Sequence, residues 1–418
     1  RVAAPASASS GPESVAAPVG SLLRSSPNGP VDSVLAAAVI ALIGFGVVMV
    51  DSASAIEATV RYHDAQFFLK RQAAFAIVSI LVMWLVSRVD YRRLKLLTYP
   101  VLLGVTGLLV VCVAGLGHRA GNAYRWIELG PVHIQPAEMA KLGIVLWLAY
   151  SLSKKADRIK SFSVGFLPHL LVVGVLVILC LKQPDFGSSV VLLFLTFTLL
   201  FVAGARLPYI ASFTMLMAFG AAILVKFSGY RSARVLAWMD MDANKDGLAY
   251  QPFQSVMSFG SGGFAGLGLG HGYQNLYLPE AHNDFISAII GEELGFVGVL
   301  LVCSMYLLIV ARGVKIALEA HDDYASFLAF GISTMFGVQA LVNLAVAMAI
   351  LPTKGLTLPF LSYGGSSLLV NAAAAGILLS ISRPRKALAP EPIARAPGPD
   401  PSASAIVATT ADEGAASW

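Results

Sequence analysis

The sequence predicts an all-α polytopic membrane protein with ten transmembrane helices. Of its 418 residues, 57% are hydrophobic and only 13% are charged, which is about half the charged fraction of a typical soluble chain. A chain with so little polar surface cannot cover a water-facing body of this size, so most of its exterior must contact lipid. The three cysteines all lie in apolar runs, and they indicate neither a disulfide framework nor a thiolate metal site.

The ten helices are predicted from apolar runs close to the bilayer-spanning length of about 20 residues. These runs lie at residues 33–54, 67–87, 96–117, 136–153, 164–182, 187–205, 207–228, 284–311, 326–350 and 364–382. We therefore divide the chain into a ten-helix membrane domain at 33–384 and two tails, at 1–32 and 385–418. Both tails are rich in Ala, Pro and Ser, a composition that predicts disorder.

Basic residues predict the orientation in the membrane. They cluster in the even-numbered connections between helices and after the last helix, so the positive-inside rule places both tails in the cytoplasm. The clusters comprise Arg88, Arg92, Arg93, Lys95, Lys154, Lys155, Arg158, Lys160, Arg206, Arg312, Lys315, Arg383, Arg385 and Lys386. The net charge of +5 favours this topology and contact with anionic lipid headgroups over the binding of nucleic acid.

The predicted outer loops also carry cations, against the usual charge bias. These cations are Arg61, Arg119, Arg125, Arg231, Arg234, Lys245 and Lys354. An anionic ligand on the outer side is one explanation, and pairing with nearby acids or phospholipid headgroups is the other. The longest interhelical segment, 229–283, is predicted to be a large extracytoplasmic loop between helices seven and eight, without obvious secondary structure.

A first candidate motif leads into the fourth helix at the outer surface. Arg125 and Trp126 open the sequence Arg-Trp-Ile-Glu-Leu-Gly, and Gln-Pro-Ala-Glu-Met-Ala-Lys follows at 135–141. Pro136 suits the first position of a helix, and Glu138 in the first turn complements the helix dipole. Glu138 and Lys141 are three residues apart and can neutralise each other on one helix face. Substrate contact by these side chains is the alternative.

Two further segments carry polar residues between apolar runs. Lys182 and Asp185 lie in the short turn Lys-Gln-Pro-Asp-Phe-Gly-Ser, where charges at the membrane edge indicate either function or mutual pairing. In the long loop, residues 242–247 match the first half of a calcium loop, but Phe253 stands where the twelfth-position Glu is expected, so a polar turn is favoured. Seven glycines between Gly260 and Gly272 permit close backbone approach to a helix or a phosphate.

The sequence Pro-Glu-Ala-His-Asn-Asp-Phe at 279–285 contains the strongest catalytic candidate. Asp284 is predicted at the outer end of the eighth helix, where a carboxylate can act as a general base if its geometry and pKa are suitable. The alternative is a helix cap formed by Asn283 or Asp284. Glu292 and Glu293 lie roughly 12 Å deeper, so at least one should face the bundle interior with a partner.

The segment 351–367 contains two prolines and three glycines, so it is predicted to be irregular and shielded from lipid by the protein. With Lys354 and several hydroxyl groups, including that of Ser362, it can line a polar cavity; a plain interhelical loop is the alternative. The sequence shows neither a Ser-His-Asp hydrolase elbow nor a thiol dyad, so we predict no covalent catalysis.

Together these motifs resemble those of the SEDS family of cell-envelope glycosyltransferases, which includes FtsW and RodA. The resemblance covers about residues 33–384 in motif order. The sequences at 278–282 and 351–359 are more similar to the FtsW branch, which acts in division. Asn283 stands where the family usually has Thr, and Ala137 where it usually has Ser; neither difference removes a charged group.

The resemblance implies a bacterial inner-membrane enzyme, located at the division septum, that polymerises lipid II into peptidoglycan glycan strands at the outer face. It also implies a class B penicillin-binding protein as the transpeptidase partner, alongside other division proteins. By motif, Asp284 corresponds to the family's catalytic aspartate. We expect it to take the proton from the sugar 4-hydroxyl of the incoming lipid II while undecaprenyl diphosphate leaves.

The remaining site residues are predicted with this chemistry in mind, because a diphosphate leaving group needs fixed positive charge. The expected substrate contacts are Arg125, Trp126, Lys141, Arg231, Lys354, Arg119, Gln251, Gln254 and Ser362. The expected supporting residues are Glu138, Asp185, His282, Glu292 and Glu293. A divalent cation, Mg²⁺ or Mn²⁺, shared between Asp284 and the diphosphate fits the chemistry, although the sequence shows no dedicated metal cage.

Three other functions remain open from the sequence. A RodA-like elongation polymerase would use the same chemistry. A lipid II flippase would use the intramembrane acids as a polar pathway, and Asp284 would then be dispensable. A division scaffold would recruit partners through its tails, and this role is compatible with catalysis.

Overall fold

The computed structural model describes residues 29–120, 123–130 and 132–384. The predicted tails lie outside the described residues, except for residues 29–32 at the end of the first tail. The backbone of Arg119 is described, but its side chain is outside the described part of the chain, so its predicted substrate contact stays a prediction.

Each of the ten predicted apolar runs contains a helix. These helices are α1 (Ser33–Tyr62), α2 (Phe67–Arg88), α3 (Leu94–Val113), α4 (Pro136–Lys154), α5 (Leu167–Lys182), α6 (Phe186–Val202), α7 (Leu207–Lys226), α10 (Ile286–Leu318), α11 (Asp323–Ala347) and α12 (Gly365–Ile381). Within the described residues, seven helical segments are long and apolar enough to cross a membrane. They contain α1, α2, α3, α5, α7, α10 and α11. The chain is therefore a multi-pass membrane protein, and crossing by all ten helices stays a prediction.

The segment 229–283 differs from its prediction because it contains regular structure. Two amphipathic helices, α8 (Gly229–Met239) and α9 (Tyr250–Gly262), lie within it, joined by hydrogen-bonded turns. In α8 the charged residues Arg231 and Arg234 interrupt the apolar sequence, so its sequence is not typical of a membrane-spanning helix.

The chain is also not purely helical. Three short strands, β1 (His118–Ala120), β2 (Ala123–Leu129) and β3 (Val132–Ile134), form an antiparallel sheet in the order β1-β2-β3 between α3 and α4. In the second hairpin Ile127 pairs with Ile134 and Leu129 with Val132, so β3 leads directly into α4. This sheet holds the sequence that contains Arg125 and Trp126 at one end of the helix bundle.

The core of the bundle lies around α4, which packs against α3, α6 and α11 and is buried along most of its length. Pro136 occupies the start of α4, as predicted from its fixed φ and missing N–H. By contrast, α7 has no buried residue and packs chiefly against α6 and α8. Much of the surface of α7 is therefore open.

Helix α10 is interrupted at Gly295, whose φ of 64° and ψ of −161° are accessible chiefly to glycine. The glycine-rich segment, residues 260–272, lies against the break. The N–H of Phe296 donates to the carbonyl of Gly263 at 2.9 Å, and the N–H of Gly268 donates to the carbonyl of Glu293 at 2.9 Å. These bonds satisfy backbone groups that the break would otherwise leave unpaired in a water-poor environment. Of the two predicted uses of the glycines, the structure shows approach to a helix.

Candidate active site

A cavity of about 240 Å³ lies where five separate segments meet. Its walls include Arg125 of β2, residues 184–187 at the start of α6, Val225 of α7, Arg231 and Arg234 of α8, and residues 352–355 of the irregular segment. The fold thus brings together Arg125, Arg231 and Lys354, three of the predicted substrate contacts, although they are distant in sequence. An excess of positive charge in a partly enclosed cavity favours an anionic ligand.

The guanidinium group of Arg125 is held by two backbone carbonyls between α5 and α6. Its Nε donates to the carbonyl of Gln183 at 2.9 Å, and Nη2 donates to the carbonyl of Pro184 at 2.8 Å. The Gln183 side chain in turn donates to the carbonyl of Leu109 at 3.1 Å. Because these bonds use neutral carbonyls, the positive charge of Arg125 is oriented without being neutralised by them.

Asp185 starts α6 rather than pairing with its neighbour Lys182. Its Oδ1 accepts a hydrogen bond from the N–H of Ser188 at 3.0 Å, the geometry of an N-terminal cap. The Lys182 side chain is exposed, and no ion pair joins the two within the described residues. The mutual pairing offered as one explanation for these charges is therefore wrong, and Asp185 is left as an acid in the cavity wall.

Lys354 lies with its ammonium group 4.0 Å from the centre of the Phe186 ring, a cation–π contact. Burial lowers the pKa of Lys354 to about 8, and the nearby Asp185 carboxylate opposes this shift. The side chain thus stays mostly protonated at neutral pH, but it is close to the point at which it loses its charge.

Asp284 adjoins this cavity through Gly355. A Cβ placed on Gly355 would lie 2.8 Å from Asp284 Oδ2, so the carboxylate occupies the space that a larger residue at 355 would need. Helix α10 begins at Ile286 and has no side-chain cap, so the predicted capping role of Asn283 or Asp284 is wrong. No hydrogen bond from a described residue reaches the Asp284 carboxylate.

Burial raises the pKa of Asp284 to about 7. This pKa also includes upward contributions from the neighbouring acids Glu280, Asp185 and Glu138 and a downward contribution from Arg125. A carboxyl group that titrates near neutral pH can accept a proton from a reacting hydroxyl and later release it. Its place beside the cavity and its raised pKa make Asp284 a candidate general base.

Lys141 and Glu138 form a buried ion pair, the first of the two alternatives that their spacing left open. Lys141 Nζ lies 2.7 Å from Glu138 Oε1 and also donates to the Gln339 side chain, while Ser367 Oγ donates to Glu138 Oε2 at 3.4 Å. Lys141 is only 1% exposed and does not line the cavity. The expected direct contact of Lys141 with substrate is thus not supported by this geometry.

Glu292 and Glu293 are both buried, and both have partners. Glu292 Oε1 accepts from the N–H groups of Tyr273 and Gln274 at 2.8 and 3.1 Å. Glu293 accepts from Ser52 Oγ of α1 at 2.5 Å. The two acids therefore fasten the glycine-rich region and α1 to α10, which exceeds the prediction that at least one faces inward.

His282 and Ser362 also serve the structure near the site. His282 packs against the rings of Phe68 and Tyr363, and burial lowers its pKa while Glu57, 3.5 Å away, opposes the shift. Ser362 Oγ accepts from the N–H of Leu358 at 2.8 Å within its own turn. Ser362 is therefore buried in the irregular segment and does not line the cavity.

The other predicted contacts lie away from the cavity wall. Trp126 is half-exposed on β2, and Gln251 and Gln254 are half-buried on α9; none of them lines the cavity. Among the residues described, no group of three or more His, Cys, Asp or Glu is placed to hold a metal ion. A divalent cation at Asp284 would therefore take most of its ligands from substrate and water.

Sequence reasoning missed Asn343 and Gln339 on α11. Asn343 bonds to the segments that carry Asp284 and Lys354, and Gln339 accepts from Lys141. A signal was present, because two amides four residues apart in an apolar helix share one face and need partners there. Arg234, which also lines the cavity, was noticed as an outer cation but not selected.

The fold and the site define a multi-pass membrane protein with a cationic cavity and a candidate general base beside it. The chain belongs to the FtsW/RodA/SpoVE family of cell cycle proteins, whose model matches residues 33–387.

Named relatives of the chain cover most of its length. It is 45% identical over 353 residues to the probable peptidoglycan glycosyltransferase FtsW of Trichlorobacter lovleyi, a match that covers 84% of this chain and 93% of that protein. It is 38% identical over 358 residues to stage V sporulation protein E of Bacillus subtilis, covering 84% of this chain and 97% of that protein.

Solved structures share the fold. A chain of a peptidoglycan synthase complex, described as coordinating polymerization and crosslinking, superposes with a TM-score of 0.70 at 31% identity, covering 84% of this chain and 98% of that one. The rod shape determining protein RodA of Thermus thermophilus gives a TM-score of 0.63 at 30% identity, with 85% and 97% coverage.

Proposed function

We propose that this protein is a peptidoglycan glycosyltransferase that polymerises lipid II into glycan strands during cell division and releases undecaprenyl diphosphate. The observation that carries the proposal is the position of Asp284, which adjoins a cavity lined by Arg125, Arg231 and Lys354. Relatives named FtsW, 45% identical over most of the chain, support the division role over the elongation role.

In the proposed reaction Asp284 is the general base. Its carboxylate takes the proton from the sugar 4-hydroxyl of the incoming lipid II as that oxygen attacks the anomeric carbon of the growing strand. The new glycosidic C–O bond forms while the bond from the anomeric carbon to the diphosphate breaks, and the diphosphate leaves with the electron pair. A base with a pKa near 7 is ionised often enough to accept the proton and basic enough to drive its transfer.

The cations have a separate role in this scheme. Negative charge grows on the diphosphate as its bond to the sugar breaks, and Arg125 and Lys354 lie in the cavity wall where they can stabilise it. Arg125 is already oriented by two carbonyl groups, so little reorganisation is needed when the leaving group develops charge. A divalent cation between Asp284 and the diphosphate would add to this stabilisation, and chelation during turnover tests that proposal.

A lipid-tailed substrate needs a path from the bilayer to the cavity. Val225 of α7 and Val235 of α8 contribute to the cavity wall, and α7 packs chiefly against α6 and α8. This arrangement leaves the apolar surface of α7 free to contact the undecaprenyl chain. We propose that the chain lies along α7 while the diphosphate and sugars enter the cavity.

We also propose a class B penicillin-binding protein as the partner, together with other division proteins. The superposition on a chain of a synthase complex that coordinates polymerization and crosslinking supports this pairing. Membrane orientation follows from the basic clusters: both termini are proposed to be cytoplasmic, with the cavity at the outer face of the inner membrane at the septum.

The test is polymerisation of labelled lipid II by the purified protein, with and without its penicillin-binding partner. Wild type is compared with Asp284→Asn, which keeps the shape of the side chain but removes the base. We expect lipid II binding to persist and the polymerisation rate to fall by at least about 100-fold, the lower end of the range for loss of a general base.

Equal polymerisation by wild type and Asp284→Asn would eliminate Asp284 as the base. If neither form polymerises lipid II but both move it across vesicle membranes, the protein is a flippase and the proposed reaction is wrong. Asp157→Asn is the matched control, because Asp157 lies in a short turn between α4 and α5, away from the cavity.

A further inference from the structure

Asn343 is a buried amide of α11 whose hydrogen bonds leave its helix. It is only 2% exposed. Its Nδ2 donates to the carbonyl of Asp284 at 2.8 Å and to the carbonyl of Leu356 at 2.7 Å. Its Oδ1 accepts from Ser287 Oγ at 3.1 Å. Both donor hydrogens and the acceptor of the amide are therefore used, and none of the partners belongs to α11.

The two carbonyl partners belong to the two segments that form the proposed site. Asp284 carries the base, and Leu356 directly follows Gly355, against which the Asp284 carboxylate packs. Lys354 is two residues before Leu356. A single amide on a long helix thus joins the segment of the base to the segment of a diphosphate-binding cation.

We propose that Asn343 is a positioning residue that holds the Asp284 segment against residues 354–356, and so sets the distance from the base to the cationic cavity. This inference rests on the proposed function. It adds a residue that contacts no substrate and acts through Asp284 and Lys354.

The chemistry of the site requires an amide. Asp at 343 would present oxygen atoms to two carbonyl oxygens, and Leu would leave both carbonyls unpaired, although each has nearly the size of Asn. The two carbonyls also fix which way the amide faces, because they can only accept and so require Nδ2; Ser287 Oγ then donates to Oδ1. A flipped amide would place its oxygen against both carbonyls and lose the two hydrogen bonds to them.

The hydrogen bonds of Asn343 to the Asp284 and Leu356 carbonyls, here called the clamp, also affect how far Asp284 is shielded from water. The segment at 354–356 covers the carboxylate at Gly355, and burial is the main cause of its raised pKa. The charged groups that influence it are Glu280, Asp185 and Glu138, which favour the neutral form, and Arg125, which favours the ionised form. If the clamp is lost, water reaches the carboxylate and the pKa should fall toward its ordinary value.

The experiment uses the full chain with its penicillin-binding partner and labelled lipid II. The variants are Asn343→Leu and the milder Ser287→Ala, which removes one bond to the amide. The matched control is Ser333→Ala, because Ser333 is fully buried on the same helix but bonds only to Ala329 of that helix. Asp284→Asn is included as a separate arm.

For Asn343→Leu we expect the maximal polymerisation rate to fall about 10- to 100-fold, as for a displacement of about 1 Å in a reacting group. Lipid II binding should change less than threefold. The acid limb of the pH–rate profile should move to lower pH, and hydrogen exchange should rise together in peptides covering 279–286 and 352–358. Ser287→Ala should show the same changes at smaller size, and Ser333→Ala none of them.

The proposal is overturned if Asn343→Leu polymerises lipid II like Ser333→Ala. It is also overturned if the rate falls without movement of the acid limb and exchange rises throughout the protein, because that pattern marks general destabilisation. If Asn343→Leu does not fold, Ser287→Ala decides by the same criteria. Full activity of Asp284→Asn would instead show that Asp284 is not the base. The positioning role of Asn343 would then be judged only by hydrogen exchange in peptides covering 279–286 and 352–358.

Discussion

Burial moves the pKa values of two site residues toward each other. The pKa of Asp284 rises to about 7 and that of Lys354 falls to about 8, so the base and the cation titrate in the same narrow range. The proposed reaction needs Asp284 ionised and Lys354 protonated. Both conditions hold best between these two values.

We therefore expect a bell-shaped pH profile of kcat/KM with limbs near 7 and 8. Activity should rise with pH as Asp284 loses its proton, then fall as Lys354 loses its charge. In Lys354→Arg the alkaline limb should move up by more than one pH unit, because a guanidinium keeps its proton in this range. Steady-state polymerisation between pH 5.5 and 10 measures both limbs, and an unmoved alkaline limb in Lys354→Arg would exclude Lys354 as its source.

At the residue scale, charges were easier to predict than contacts. Asp284, Arg125, Arg231 and Lys354 stand out because ionisable groups are expensive at a membrane edge and are conspicuous in an apolar sequence. In the structure Arg125, Arg231 and Lys354 line one cavity. The sequence position of Lys141 gives its neighbours on α4, but not its burial or the partner Gln339 that α11 supplies.

At the element scale, the break in α10 depends on close contact between two backbones. A Cβ on Gly295 would meet the backbone N of Gly266, and a Cβ on Gly266 would meet the carbonyl of Glu293. Both glycines also have positive φ, at 64° and 81°. Space and conformation therefore both select glycine at these two positions.

Gly295→Ala is expected to destabilise the protein by at least about 1–3 kcal/mol, the range for a non-glycine residue in such a conformation. The steric contact with Gly266 adds to this strain. Thermal unfolding in detergent should show a lower midpoint, with loss of monodisperse protein. Gly220→Ala on α7 is the control, since no atom lies within 4 Å of its added Cβ; equal midpoints for the two variants would contradict the assigned role of Gly295.

Long apolar helices were predictable at this scale, but the polar end of α1 and the three-stranded sheet were not. α1 continues eight residues beyond the apolar run 33–54, to Tyr62, where Glu57 and Arg61 form an i,i+4 ion pair at 3.5 Å. A hydropathy pattern does not register such a polar helical turn. The sheet was missed because β1 and β3 have three residues each, too few for a periodicity to appear.

At the scale of the whole molecule, the pair of Glu138 and Lys141 joins three helices beneath the site. Lys141 reaches Gln339 on α11, and Glu138 accepts from Ser367 on α12. Both charged side chains are almost completely buried. The pair therefore ties the central helix α4 to its neighbours, and each charge depends on the other.

Lys141→Met should leave Glu138 as an unpaired buried charge and destabilise the protein by about 3–5 kcal/mol. Adding Glu138→Gln should recover much of this loss, because no buried charge remains. Thermal unfolding of the two single variants and the double variant measures the coupling. If Lys141→Met instead folds as wild type but loses lipid II binding, Lys141 contacts substrate and the structural assignment is wrong.

The hydrogen bonds of Asn343 bear on how a polymer can be extended. Asp284 is tied by its backbone to α11 and lies two residues before the start of the long helix α10, so the proposed base is part of the framework of the bundle. A base fixed in this way cannot follow the end of a strand as the strand grows. After each addition the product must slide by one disaccharide unit past a stationary aspartate, and the step size of the enzyme is then set by the repeat of the polymer.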